Sequence, residues 1–280
     1  METASGYTAE FCTGDLLSLG DFSLFSEHSA VANYSNASGK VVFITRNRLY
    51  LAPNAIFLDN PKLVFPGTLT IEPDYIHCST FQIQRSPYRE YNSAYLFASG
   101  NESLFEARLF AVALENLEVF PKKSLIFSVF EHFEQEILCG LDFTLVKSIK
   151  AATAQIAEGQ ILQGVYSLKG LGQGTTPAGD DFIAGLLYGL HYLQQLHGFD
   201  NNNLIQEIWE ASKGSNVISN AMLEHAAGGR YFHSLKNFFL AIGQNQDTTL
   251  RLGELFLHGA TSGADILSGF LFAIKHRITE

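Results

Sequence analysis

The feature that most constrains the fold is a change in the spacing of apolar residues near position 100. Before it, short runs of β-branched and aromatic residues alternate with prolines; after it, apolar residues recur three or four positions apart. Proline between short strands is typical of a small barrel or sandwich, and the later spacing is helical. The sequence therefore predicts an α+β protein: a β-rich N-terminal barrel or sandwich domain over residues 1–100, followed by a larger α-helical domain over residues 101–280.

Runs dominated by β-branched and aromatic residues mark the candidate strands. They are Lys40–Thr45, Arg48–Leu51, Ala55–Leu58, Leu69–Ile71, Tyr75–His77 and Thr80–Gln84. The first two flank Arg46-Asn47, which predicts a tight hairpin.

Helical spacing and terminal signals mark the candidate helices. Ser103 and Glu106 form a capping-box pattern that predicts a helix from there to about Val119, ahead of Phe120-Pro121. Apolar residues from Leu125 to Ile137 predict a second helix, which Gly140 would end. The remaining predicted helices are Leu145–Glu158, Asp181–Leu196, Leu204–Ser212, Val217–Ala227, Phe232–Ile242, Thr248–His258 and Ser262–His276.

Charge and cysteine usage exclude several classes of protein. With 18 basic and 28 acidic residues, the chain has a net charge of −10 and lacks the basic patches that bind nucleic acids or anionic membranes. Its three cysteines form no CxxC pair, which favours buried thiols in a reducing cytoplasm. We find neither a signal-peptide pattern nor an apolar stretch of the roughly 20 residues that a membrane span needs. These observations predict a soluble, cytoplasmic protein.

A glycine-rich segment, residues 169–189, is the most unusual part of the sequence. Gly172 and Gly174 allow positive φ and close approach to a ligand, while Thr175 and Thr176 precede a helix start. A helix start preceded by glycines is a ready anion-binding site. The segment lacks the Lys-Ser/Thr of a Walker P-loop, and no clear strand precedes it as a dinucleotide fingerprint requires.

Two consecutive carboxylates, Asp180 and Asp181, follow the glycines. One interpretation is compensation of the helix dipole, worth about 0.3–1 kcal/mol. The other is a divalent-metal or general-base site beside the anion pocket, with Mg²⁺ or Mn²⁺ as the cation. Because the glycines cost conformational entropy that stability alone does not favour, we prefer the functional interpretation.

A second segment, Gly259–Ile274, repeats this pattern. When Asp265 is aligned with Asp181, Gly269 falls opposite Gly185, one helical turn after the aspartate. We infer two helices that pack through these glycines and direct Asp181 and Asp265 at one pocket. The alternative is that Ser262-x-x-Asp265 is only a capping box.

Other polar residues near these turns are weaker candidates. Ser219, Asn220 and Glu224 can add polar groups to a site or form a solvated helix face. His258 precedes the second turn and is a candidate for chemistry. The sequence contains neither the HExxH motif nor the Cys/His spacing of a zinc site, and it lacks the GxSxG nucleophile elbow.

Three blocks together resemble the AllH-like family. They are Gly172-Gln-Gly-Thr-Thr-Pro-Ala-Gly-Asp-Asp181, Ser219-x-x-x-Leu223-x-x-Ala-Ala227-x-Gly229 and Thr261-Ser-Gly-Ala-Asp265. That family is associated with a subunit of oxamate carbamoyltransferase. The resemblance implies a part in converting oxalurate and phosphate to oxamate and carbamoyl phosphate during allantoin use, together with other protein subunits.

Two departures from the family pattern bear on the site. The family usually has Leu-Thr-Pro-Ser where this chain has Thr175-Thr-Pro-Ala178, which removes a hydroxyl beside the aspartates. It also often has His directly before Thr-Ser-Gly, where this chain has Ala260 and the nearest histidine is His258.

Residues and resemblance together give a set of expected roles. Metal binding or proton transfer is assigned to Asp180, Asp181 and Asp265, with His258 as a further catalytic candidate. The substrate-binding candidates are Gly172, Gly174, Thr175, Thr176, Ser219, Thr261, Ser262 and Gly263. The expected ligand is a small anion of the carbamoyl phosphate, oxamate or oxalurate class. Two other functions stay open: a non-catalytic ligand-binding or assembly subunit, and a stand-alone metal-dependent hydrolase of small amide or ureido compounds.

Overall fold

The computed structural model describes residues 10–130 and 143–279, and it confirms the α+β class. The chain divides into two compact units. One comprises residues up to Ala94 with Tyr231–Ser234, and the other comprises Tyr95–Arg230 with the residues from Leu235 onward. Strands fill the first unit and helices the second.

The first unit contains one nine-stranded sheet. The strands are β1 (Phe11–Gly14), β2 (Gly20–Glu27), β3 (Val31–Ser35), β4 (Val41–Thr45), β5 (Ala55–Leu58), β6 (Thr68–Ile71), β7 (Tyr75–His77), β8 (Gln82–Gln84) and β9 (Glu90–Tyr91). Their order is β8-β7-β6-β2-β3-β4-β5-β1-β9. Pairing is antiparallel except between β4 and β5 and between β1 and β9.

The sheet curls around an apolar core, and a smaller apolar cluster, formed by Cys12, Leu51, Ala55 and Phe57, includes residues of β1 and β5. Strands β1 to β8 all contribute buried side chains to one cluster, including Phe22, Tyr34, Ile44 and Ile76. Side chains from strands so far apart in a sheet can meet only if the sheet bends around them. The Tyr34 hydroxyl, inside this core, donates to the Pro66 carbonyl at 2.8 Å, so its burial leaves no polar atom unsatisfied.

The predicted hairpin at Arg46-Asn47 is wrong. Residues Arg48–Tyr50 form a 3₁₀ helix, and Asn47 caps it by accepting a hydrogen bond from the Leu49 N–H at 3.0 Å. Because this cap turns the chain out of the sheet, β4 pairs in parallel with β5 instead.

The described part of the chain contains nine α-helices. They are α1 (Glu102–Glu115), α2 (Phe143–Ala157), α3 (Ile161–Leu168), α4 (Ala178–His197), α5 (Asn202–Ser212), α6 (Val217–Ala227), α7 (His233–Gln244), α8 (Thr248–Phe256) and α9 (Ser262–His276). Helix α3 was not expected from the sequence. Where the sequence predicted the start of a helix at Leu125, the structure has a 3₁₀ helix, Leu125–Ser128. Residues 131–142, which include Cys139 and Gly140, lie outside the described residues.

The capping box predicted for α1 is also wrong. Asn101 occupies the N-cap position, and the Glu106 side chain lies away from it. Glu106 instead accepts two hydrogen bonds from Arg277 at 2.8 Å and others from His197 and Tyr192. Although burial acts to raise the pKa of Glu106, the hydrogen bonds from Arg277 and His197 together hold it below its ordinary value.

Helices α4 and α9 run in parallel and pack through glycines. A Cβ atom at Gly185 would overlap the Ile266 carbonyl oxygen, and one at Gly269 would overlap the Phe182 carbonyl oxygen. One turn further on, a Cβ atom at Gly189 would overlap the Cβ of Ala273. The two backbones therefore touch, as predicted from the aligned glycines, and the helix starts lie at the same end of the pair.

We expect Gly185→Ala to destabilise the protein by about 2 kcal/mol or more, although alanine favours helix formation, because the new methyl group displaces α9. The matched control is Gly253→Ala in α8, where nothing lies within 4 Å of the new Cβ atom. That change should stabilise by about 0.5–1 kcal/mol. Urea denaturation of both variants measures the difference; equal effects would contradict the close contact.

Candidate functional site

The parallel helix pair places two carboxyl groups at the same level. Asp181 lies in the first turn of α4 and Asp265 in the first turn of α9, four residues before Gly185 and Gly269. Both side chains are completely buried, and Asp265 acts electrostatically on Asp181. The structure therefore brings together the two aspartates that the sequence alignment paired.

Asp265 is held by a main-chain amide. The N–H of Leu125, the first residue of the 3₁₀ helix, donates to Asp265 Oδ1 at 2.6 Å. Asp265 Oδ2 has no hydrogen-bond partner among the residues that the structure describes. Ser262 and Asp265 do not form the capping box of the alternative interpretation, since Thr261 is the N-cap residue and its side chain makes no capping bond.

Asp181 is held by a hydroxyl group instead. Thr176 Oγ1 donates to Asp181 Oδ2 at 3.2 Å and lies 3.1 Å from Ser262 Oγ. Asp181 Oδ1, like Asp265 Oδ2, finds no partner within the described parts of the chain. Thr176 and Ser262 are both partly exposed, so their hydroxyls connect the buried carboxyl pair to the surface.

Burial shifts both carboxyl groups toward their protonated forms. Loss of hydration, and then the charge of Asp265, raise the pKa of Asp181 well above its ordinary value, while Ser262 and Thr176 act against this. Burial likewise raises the pKa of Asp265 to about 7, although the Leu125 N–H and the Thr261 side chain lower it. Carboxyl groups whose pKa is raised in this way hold a proton that they can transfer.

Asp180 is directed away from this pair. Its Oδ1 accepts a hydrogen bond from the Gly170 N–H at 2.7 Å, which ties the start of the glycine loop to α4. Across residues 10–130 and 143–279, no three His, Cys, Asp or Glu side chains gather as a metal site would require. Mg²⁺ prefers six oxygen ligands. Metal binding by Asp180 and Asp181 therefore stays a prediction from sequence.

The glycine loop, residues 170–177, offers main-chain donors to solvent. Gly170, Gly172 and Gly174 all have positive φ, at 71°, 108° and 111°. The N–H groups of residues 172–176 donate to no acceptor in the described structure. Repeated left-handed residues turn successive N–H groups toward one side, a geometry that suits an anion.

The loop is anchored by Asn216, a residue that the sequence analysis missed. Its Nδ2 donates to the Thr175 carbonyl at 2.7 Å, while its Oδ1 caps α6 by accepting from the N–H groups of Ile218 and Ser219. An asparagine immediately before the predicted helix at Val217 is an N-cap signal that could have identified it.

The two helix starts are structural repeats beyond the aligned aspartates. The N–H of Gly179 donates to the Leu171 carbonyl at 2.9 Å, and that of Gly263 donates to the His258 carbonyl at 3.0 Å. The helix starts are therefore less open than the sequence suggested, because a loop carbonyl already occupies one N–H group at each. Seven residues separate Leu171 from Gly179 but only four separate His258 from Gly263, so the first loop is the longer one.

Other predicted site residues take different positions. Gly263 is needed for packing, since a Cβ atom there would overlap the Leu255 carbonyl oxygen. His258 holds the second turn through its main chain, and loss of hydration lowers the pKa of its ring to about 4, so the ring is neutral at pH 7. Ser219 is buried at the start of α6, and in the described structure its hydroxyl meets no partner and makes no hydrogen bond to either aspartate.

Residues 121–129 contribute to the site beside Asp265, which the sequence analysis did not predict. Ser124 is completely buried beside the Leu125 amide that binds Asp265, and its hydroxyl has no partner among the described residues. Nothing in the local sequence identifies this segment as part of the site, because it contributes only a main-chain N–H group.

Comparison with known proteins supports the resemblance noted in the sequence. Residues 168–274 match the family model of oxamate carbamoyltransferase subunit AllH. The match covers both glycine turns and both aspartates, together with Asn216. No solved structure matches the chain significantly. Within the described residues, no helix is both long and apolar enough to cross a membrane.

We expect Asp265→Asn to stabilise the protein at pH 8 by a few kcal/mol, at about 1.4 kcal/mol per pKa unit. The folded state holds a proton that the unfolded state releases above pH 4, so the wild type loses stability as the pH rises toward 7. The advantage of the variant should therefore shrink at pH 5. Urea denaturation at both pH values measures it.

Asp247→Asn is the matched control for this prediction. Asp247 caps α8 by accepting from the Leu250 N–H at 3.0 Å, a bond that asparagine can also make. Its effect on stability should be small at either pH. An equally small effect of Asp265→Asn would contradict the proposed burial of an ionisable pair.

Proposed function

We propose that this chain is a subunit of an oxamate carbamoyltransferase-like enzyme, acting in the cytoplasm with other protein subunits. Its site binds a small anion of the carbamoyl phosphate, oxamate or oxalurate class. One observation carries the proposal: the paired aspartates, Asp181 and Asp265, lie at two adjoining helix starts inside the segment that matches the AllH family model.

The glycine loop supplies the electrostatic part of the proposed site. Free N–H groups from residues 172–176 surround an anion without adding a full positive charge. Donors fixed by a folded backbone stabilise developing charge because they need no reorganisation during the reaction. The bond from Asn216 to Thr175 holds one end of this loop in place.

The buried carboxyl pair supplies the proton. In the proposed reaction, a phosphate oxygen attacks the carbamoyl carbon of oxalurate, and the bond from that carbon to the oxamate nitrogen breaks. The departing nitrogen takes up one proton, and the reverse reaction returns it. Burial raises the pKa of both Asp181 and Asp265, so a carboxyl group of this pair can hold that proton near neutral pH, donate it and recover it.

The other two functions differ from this one in their requirements. A ligand-binding or assembly subunit needs the glycines but not the aspartates, and the contacts of Gly185 and Gly269 between helix backbones suit that role. A stand-alone hydrolase needs a metal or an activated nucleophile in this chain.

We expect Asp181→Asn to lower kcat for carbamoyl transfer at least 100-fold in the enzyme assembled with its other subunits. The KM for carbamoyl phosphate should change little, because the loop amides remain. Asp247→Asn should retain wild-type activity. Steady-state rates with carbamoyl phosphate and oxamate measure both.

Binding and assembly are measured on the same samples. Carbamoyl phosphate should raise the melting temperature of the wild-type chain and of Asp181→Asn alike. Full activity in a folded Asp181→Asn enzyme would contradict the proposal. Loss of assembly in that variant would favour the assembly subunit, and hydrolysis by the isolated wild-type chain would favour the hydrolase.

A further inference from the structure

We propose that the two aspartates, although they occupy equivalent positions in the repeat, have different tasks. Asp181 exchanges the proton with the substrate through the hydroxyl groups of Thr176 and Ser262. Asp265 is a positioning residue: the Leu125 N–H group fixes it, and it acts on Asp181. This inference rests on the proposed carbamoyl-transfer function, and it follows from the different partners of the two side chains.

Asp181 is the aspartate with a connection to the surface. Its partner Thr176 lies in the glycine loop and is partly exposed, and Thr176 also contacts Ser262, the first residue of α9. A hydroxyl group can accept one proton while it donates another. A substrate at the loop therefore has a hydrogen-bonded route to Asp181 without any movement of the buried carboxyl group.

Asp265 makes no hydrogen bond to a hydroxyl group in the described structure, although the nearby Thr261 side chain lowers its pKa. Its Oδ1 accepts from the Leu125 N–H at 2.6 Å, and a peptide N–H group cannot pass a proton onward as a hydroxyl can. Ser124, Leu125 and Ile126 are all buried, so this side of Asp265 faces the protein interior. The bond fixes one oxygen of Asp265 and leaves the other, Oδ2, without a partner in the described structure.

The Leu125 amide can be removed with little change to the backbone. Leu125 is the first residue of the 3₁₀ helix, a position that accepts proline, and Ser124 has φ −75° and ψ 159°, the extended conformation that precedes proline. Leu125→Pro therefore deletes the N–H group that binds Asp265. Leu125→Ala shortens the same side chain but keeps the amide, and so is its matched control.

The experiment compares three pairs of variants in the assembled enzyme, with carbamoyl phosphate and oxamate as substrates. Asp181→Asn should lose about 1000-fold in kcat and Asp265→Asn only about tenfold. Leu125→Pro should have a kcat about tenfold below that of Leu125→Ala, at similar KM. Thr176→Val should lose at least tenfold, and Thr176→Ser should recover most of that loss because it restores the hydroxyl.

Melting temperatures identify variants whose fold, and not their chemistry, has changed. Equal losses of kcat in Asp181→Asn and Asp265→Asn, or equal kcat values for the two Leu125 variants, would overturn the division of tasks. Neither result would affect the proposed function. Absence of carbamoyl transfer by the assembled wild-type enzyme would overturn both.

Discussion

The direct contact between the backbones of α4 and α9 is the constraint on which the site depends. Gly185 and Gly269 each leave room for a carbonyl oxygen of the opposite helix. Because the helices are parallel, residues equally far from these glycines lie at the same level, and Asp265 lies close enough to Asp181 to act on it electrostatically. Any side chain at either glycine would separate the helices and, with them, the carboxyl groups.

The site also shows how a repeat can acquire unequal halves. Both helix starts use a glycine N–H bonded to a loop carbonyl, followed two residues later by a buried aspartate. The first loop is longer and carries Thr176, whereas the second is short and leaves Asp265 to a main-chain amide from residues 121–129. Burial makes both carboxyl groups costly to ionise, and a protein keeps such groups where their chemistry is used.

Sequence reasoning predicted the parts of the fold and site that depend on local pattern. The change from strands to helices, the glycine contact between α4 and α9 and the pairing of Asp181 with Asp265 all follow from spacing. Strand β2 was missed because its few apolar residues are separated by serines and follow Gly20 and Asp21, which are rare in strands. Its place in the sheet comes from pairing with β3 and β6.

Features that depend on distant main-chain groups were not predictable in this way. Asp265 and Leu125 are far apart in the chain, and any residue but proline carries the N–H group that joins them. The predicted capping box of α1 failed for a related reason, since Arg277 and His197 compete for Glu106 more strongly than a helix N-terminus does.

The most direct test of the central claim is a titration of the aspartate side-chain carboxyl carbons, followed by ¹³C NMR and assigned with Asp181→Asn and Asp265→Asn. If the parallel helices bury both groups as one pair, each signal will titrate well above the ordinary range near pH 4, and removing either aspartate will move the titration of the other. Two independent titrations near pH 4 would contradict the account.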